Sequence, residues 1–321
     1  MRNAFNSVSR QRVFEAVRRR CPQAAFWFES CYSHHSKLFI GESLLGSQRG
    51  LQQGDPCGPA GFCWAVHDVL EAIEEFVEWQ AWYLDDGVLV GTPEQLHNAL
   101  ETLISGMSLC GLEVNLDKCV IWGPAFSDPA LLLPVESKLR AIPVVPWRPG
   151  TGIQVLGVPV CFPGDDAYAR HVWGKRADKV CKILRVLEEL PQAHVQYTLL
   201  RYCLAACRVM DLLRGCPIGH ATEECKRFSI ELRRCMDHIL GAPCTDDQWS
   251  QASLAIRCGG LGVTDPEQQR PAARMSGLLN FVQNGPRVLG IEGTTDFVPI
   301  DVPETVSRLQ LVVQENSMLQ A

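Results

Sequence analysis

Apolar residues recur at helical spacing in several stretches of the chain, and shorter runs with strand character lie between them. Residues 7–20 suit a helix, with Ser7 or Ser9 as its cap and Val13, Phe14 and Val17 along one side. Residues 37–40 and 43–47 suit two short strands, joined by a tight reversal at Gly41 and Glu42. GDPCGP (54–59) is loop chemistry. A helix from Ala60 follows, with Phe62, Ala65, Val66, Val69, Leu70, Ile73, Phe76 and Val77 on one face. His67, Asp68, Glu71, Glu74, Glu75 and Glu78 fall on the other, which reads as a solvated face. WYLDDGVLV (82–90) then has the form of a hairpin, apolar on both sides of Asp-Asp-Gly.

Thr92, Pro93 and Gln95 make an N-terminal helix signal with a capping box. Leu96, Leu100, Leu103, Ile104 and Met107 form that helix's stripe, and Gly111 is its stop. A strand is expected over 118–122. The alternation of helices and hairpins predicts an α+β fold with helices on one face of a sheet. Residues 123–165 read as a Pro-rich connector, 166–241 as a mainly helical region, and 242–321 as a weaker helical tail. In the helical region Val180, Ile183, Leu184 and Leu187 form one stripe, while Lys175, Lys179 and Lys182 form another.

Charge sharpens that division. The chain of 321 residues has a net charge of −6, which argues against a nucleic-acid binder, since such proteins usually carry a basic excess. Between Arg170 and Cys235, however, 13 Lys/Arg face 7 Asp/Glu, a local excess of +6. The 15 cysteines are irregularly spaced, and no pair stands at CxxC spacing, so reduced core thiols are expected over a disulfide framework. Cys31, His34 and His35 lack a second ligand pair at zinc spacing. No apolar run reaches membrane-spanning length, and no secretory leader is evident, so an intracellular protein is expected, in nucleus or cytoplasm.

Asp85 and Asp86 pose the chemical question. On a short turn held by apolar strands, adjacent carboxylates repel unless a cation neutralises them. Hard oxygen ligands suit Mg²⁺, which keeps waters and accepts substrate phosphates. The plain alternative is a polar turn.

The surroundings carry a resemblance. YLDD (83–86) resembles the Tyr-x-Asp-Asp signature of reverse transcriptases. GLQQGDPCGP (50–59) resembles their loop before a long palm helix, and GLEVNLDKC (111–119) their next motif. LGVP (156–159) is similar to the primer-grip motif, and AFNSV (4–8) to the end of the first aspartate motif. The order matches too, and the likeness is greatest to the non-LTR, LINE-like retrotransposon enzymes.

This resemblance implies a polymerase palm, ferredoxin-like, over 1–122 and a basic thumb-like region over 166–241. It implies two-metal nucleotidyl transfer with Mg²⁺, an RNA template, a DNA primer and dNTP. Asp85 and Asp86 would be metal ligands and catalytic, with Lys118 a general acid near the pyrophosphate. Phe5, Gln53, Gly54 and Tyr83 would meet nucleotide or template. Leu156 and Gly157 would grip the primer, and Lys175, Lys179 and Lys182 would follow the phosphate backbone. Phe5 also suits a core position, Gln53 and Gly54 an ordinary turn, and each lysine a solvated surface.

The chain departs from the pattern at its start. The Asp that opens the first motif would stand immediately before Met1, and the basic fingers would lie upstream. The expectation is therefore truncation within that motif and weak or absent polymerase activity. The alternative is an inactive mobile-element remnant that binds nucleic acid or serves as a scaffold.

Overall fold

A computed structural model describes residues 1–126, 137–289, 305 and 307. Part of the expected connector and most of the expected tail beyond 289 lie outside the described residues. The chain divides into two compact units, Met1–Trp147 and Arg148–Ala321.

The first unit opens with a helical turn, α1 (Ala4–Ser7), followed by α2 (Arg10–Arg20) and α3 (Pro22–Tyr32). Ser9 caps α2, its hydroxyl accepting from the Arg12 amide. Val13, Ala16 and Val17 are buried, as the helical spacing requires. Sequence spacing did not mark α3. Its Phe28 and Tyr32 are buried one turn apart, but Phe26 and Trp27 beside them are exposed, so apolar residues ring the helix and periodicity is lost.

Strands β1 (Ser36–Ile40) and β2 (Ser43–Ser47) pair antiparallel about Gly41 and Glu42, where Gly41 has φ 59°. Helix α4 (Gly58–Glu74) buries Phe62, Ala65, Val66 and Ile73. Helix α5 (Pro93–Leu109) has the expected capping box at Thr92 and Gln95, and Gly111 follows it at φ 76°. Leu103 and Met107 of α5 join Val13, Val17, Phe28, Phe62 and Ile73 in one buried cluster.

The polar face of α4 is more than solvated. Arg19 and Arg20 both pair with Asp68, and Arg20 also pairs with Glu71. These pairs are largely exposed and each contributes about 0–1 kcal/mol.

Strands β3 (Trp79–Tyr83) and β4 (Asp86–Val90) form the Asp-Asp hairpin. The expected strand over 118–122 is shorter than its pattern. Leu116–Lys118 is a 3-10 turn, and only β5 (Ile121–Trp122) is extended, pairing in parallel with β6 (Val144–Val145).

The second unit begins with the hairpin of β7 (Gly152–Val155) and β8 (Val158–Cys161). Helices α6 (Ala167–Glu188), α7 (Ala193–Leu199), α8 (Met210–Gly215), α9 (Thr222–Leu240), α10 (Asp246–Ser253) and α11 (Pro266–Leu289) follow. Trp173, Leu184, Leu212, Phe228, Leu232 and Trp249 meet in its core. Ile183 is not part of that core. It is 37% exposed, because α6 turns Ala177, Val180, Leu184 and Leu187 inward instead.

The described strands pair as four two-stranded ladders. The fold is thus a mixture of helices and small sheets, compatible with the expected α+β class.

Candidate active site

The hairpin turn is two residues earlier than Asp-Gly chemistry suggests. Tyr83 pairs with Asp86, so Leu84 and Asp85 are the two loop residues. Leu84 has φ 57°, a left-handed conformation that costs a residue with a Cβ on the order of 1 kcal/mol. Packing offsets this, since Leu84 lies against the buried cluster of the first unit. Gly87 serves a different purpose from the one its place after Asp86 suggests. It pairs with Trp82, and a Cβ there would stand 2.3 Å from the Trp82 ring. The ring therefore lies across Gly87.

Trp82 Nε1 donates to Gln80 Oε1 (2.8 Å), and Gln80 Nε2 donates to the Leu70 carbonyl of α4 (2.9 Å). The hairpin is tied to α4 by this relay. Opposed residues in a ladder share a face, so Tyr83 and Asp86 point together. Tyr83 is exposed, and Asp85 lies in the turn that Tyr83 and Asp86 close. Among the described residues, neither carboxylate has a hydrogen-bond or ion-pair partner on another side chain. Two unengaged carboxylates on a braced turn suit a hard divalent cation. Among the described residues, no group of three or more His, Cys, Asp or Glu is placed to hold a metal.

The structure brings Phe5 and the 50–58 loop together. The Leu51 amide donates to the Phe5 carbonyl (2.7 Å), and the Gly50 amide to the Val8 carbonyl (2.9 Å). Gly50 has φ 70°, and a Cβ there would fall 2.4 Å from the Asn6 backbone. Only glycine permits that approach. The Phe5 ring stacks on Phe62, with centroids 5.1 Å apart. Phe5 is half-buried, so its core role and an exposed edge coexist. Gln53 and Gly54 are exposed at the tip of the loop, and Gly54 has φ 94°. Phe5 and Leu84 pack on the same cluster, so one core supports both the loop and the hairpin.

Lys118 is exposed at the end of its 3-10 turn and has no ion-pair partner among the described residues. The geometry supplies no contact between Lys118 and the carboxylates.

In the second unit, Leu156 and Gly157 are the two loop residues between β7 and β8, with φ 50° and 85°. Leu156 is 54% exposed. Gly157 lies against the Arg176–Asp211 ion pair, and Arg176 also donates to the Arg208 carbonyl (3.0 Å). Lys175, Lys179 and Lys182 lie on α6 and are free of ion pairs among the described residues. The same helix turns Trp173, Ala177 and Val180 into the core.

Residues 1–160 match the family model for reverse transcriptase (RNA-dependent DNA polymerase). Residues 1–160 are reverse transcriptase-like. No curated protein matches the chain. The reverse transcriptase-like segment spans all of α1–α5 and the β7 and β8 hairpin turn. Its family supports a reverse transcriptase-like function in general terms, with nucleic acid and dNTP as binding partners and Mg²⁺ as the usual ion. No helix among the described residues is long and apolar enough to cross a membrane.

Sequence reasoning missed Arg10, Tyr32 and Asp55, which hold the 50–58 loop from behind. Arg10 was findable. It stands three and seven residues before Val13 and Val17, on the buried stripe of α2, where a charged residue needs partners. Tyr32 lay in the unmarked helix, and nothing in the spacing joined it to Asp55.

Proposed function

We propose that the chain is the nucleotidyl-transfer region of a non-LTR-type reverse transcriptase, with 1–122 acting as palm and 166–241 as thumb. The observation that carries the proposal is the braced Asp85–Asp86 turn, whose carboxylates have no side-chain partner among the described residues, inside a reverse transcriptase-like segment. Asp85 and Asp86 would hold Mg²⁺ at the primer end. The ion would supply charge neutralisation for the primer hydroxyl and the departing pyrophosphate. Tyr83, on the face of Asp86, would meet the nucleotide or template. Phe5, Gln53 and Gly54 would line the place of the incoming nucleotide. Leu156 and Gly157 would steady the primer, with Lys118 donating a proton to pyrophosphate.

The described donor set is two carboxylates, and a shortage of fixed charge weakens stabilisation of the phosphoryl transition state. Extension by this chain is therefore expected to be slow. A second reading is favoured by the α6 lysines, which have no ion-pair partner among the described residues: a chain that binds nucleic acid without catalysis.

Primer extension on poly(rA)·oligo(dT) with Mg²⁺ and dTTP tests the first reading. Slow extension that disappears in Asp85→Asn and in Asp86→Asn supports it. Extension unchanged in both variants overturns it. Salt-sensitive binding with no extension in the wild-type chain supports the second reading.

A further inference from the structure

A buried cation stands behind the 50–58 loop. Arg10 is 8% exposed and has no carboxylate partner among the described residues. Its guanidinium spends its donors on main-chain oxygens: Gly50 (2.9 Å), Ser47 (3.0 Å), Tyr32 (3.4 Å) and Arg49 (3.5 Å), with the Ser47 hydroxyl at 3.0 Å. Carbonyl dipoles thus balance the charge, and the Tyr32 carbonyl is one from the C-terminal end of α3. The same guanidinium lies 5.4 Å from the centre of the Tyr32 ring.

Tyr32 extends the network. Its hydroxyl donates to Asp55 Oδ2 and accepts from the Gln52 amide (3.2 Å). The other Asp55 oxygen accepts from the Cys57 amide (2.9 Å). The loop is therefore held where it leaves β2 by Arg10, and on both sides of its tip by Tyr32 and Asp55. Gln53 and Gly54 are left between these anchors, exposed and with no side-chain bond to another described residue. Burial and the Asp55 carboxylate raise the Tyr32 phenol to about 12, so it remains a donor at neutral pH.

We propose that Arg10, Tyr32 and Asp55 are positioning residues that hold the loop in the shape by which Gln53 and Gly54 receive the incoming nucleotide. This rests on the reading of that loop as the nucleotide site. The physical gain is preorganisation: a loop ordered beforehand gives up less freedom when it binds.

The test uses the full chain on poly(rA)·oligo(dT), with dTTP affinity measured by fluorescence titration. Primer–template affinity, amide exchange at Gln52 and thermal midpoint are read in parallel. Tyr32→Phe keeps the ring and removes the hydroxyl, and Asp55→Asn keeps the shape and removes the charge. Each should weaken dTTP binding about three- to tenfold, the scale of the net contribution of one ordinary hydrogen bond. Gln52 exchange should quicken, and primer–template affinity should hold. The double variant should weaken binding no more than the worse single one. Faster exchange with wild-type dTTP affinity would assign the network to stability alone and overturn the proposal. Failure of the wild-type chain to bind dTTP, while it still binds primer–template, would remove the nucleotide-site reading and this inference with it.

Discussion

Gly87 and Leu84 show how one side chain sets the shape of the carboxylate turn. Gly87→Ala would drive a Cβ into the Trp82 ring, with an expected cost of about 1–3 kcal/mol by urea denaturation. Gly41→Ala, where nothing lies within 4 Å, is the contrast, and only backbone strain applies there. Tyr32 supplies a pH prediction. Its folded-state value lies above that of the unfolded chain, so stability is whole below about pH 10 and falls between about 10 and 12, as the unfolded state ionises first. Thermal midpoints of wild type and Tyr32→Phe should therefore converge over that window. Parallel midpoints throughout would contradict the buried hydroxyl–carboxylate bond. The Asp pair was legible from the sequence because apolar runs bracket it. The turn position was not, since Asp-Gly favours a reversal two residues later than the Trp82–Gly87 pairing allows.

Elements with strong local signals were read well. The capping box at Thr92 and Gln95, the Gly111 stop and the stripe of α4 all act within a few residues, so the sequence alone displays them. Thr92→Ala should cost about 0.5–2 kcal/mol by denaturant titration, and an unchanged midpoint would deny the cap a role. Helix α3 escaped because its exposed Phe26 and Trp27 hide the periodicity. Ile183 was misplaced because one residue on α6 rotates the face by about 100°, the helical step, and neighbouring helices decide which side is covered. The short β5 reflects pairing, not propensity: only Ile121 and Trp122 find partners, in Val144 and Val145. On α6, the lysine face leads to a solution test. Replacing Lys175, Lys179 and Lys182 by Ala should reduce the slope of log affinity against log salt for primer–template by up to about 3, at nearly one for each phosphate that a lysine no longer neutralises. An unchanged slope would remove that helix from the interface.

At the scale of the molecule, each unit has a core drawn from its own residues. The helical core of the second unit is drawn, among the described residues, from Val158 to Ala273. A chain beginning at Arg148 is therefore expected to fold alone, giving a helical circular dichroism spectrum and a cooperative melt; a spectrum without helix would contradict the division. The local basic excess visible in the sequence falls within this unit, whose helix α6 carries the lysines proposed to meet nucleic acid. The central claim concerns the first unit, where Asp85 and Asp86 are read as ligands of a divalent ion. Manganese binding, followed by electron paramagnetic resonance with poly(rA)·oligo(dT) and dTTP present, tests it most directly. The account predicts a bound ion in the wild-type chain that is absent in Asp85→Asn and in Asp86→Asn, with primer–template binding retained. Equal manganese binding in wild type and both variants would contradict it.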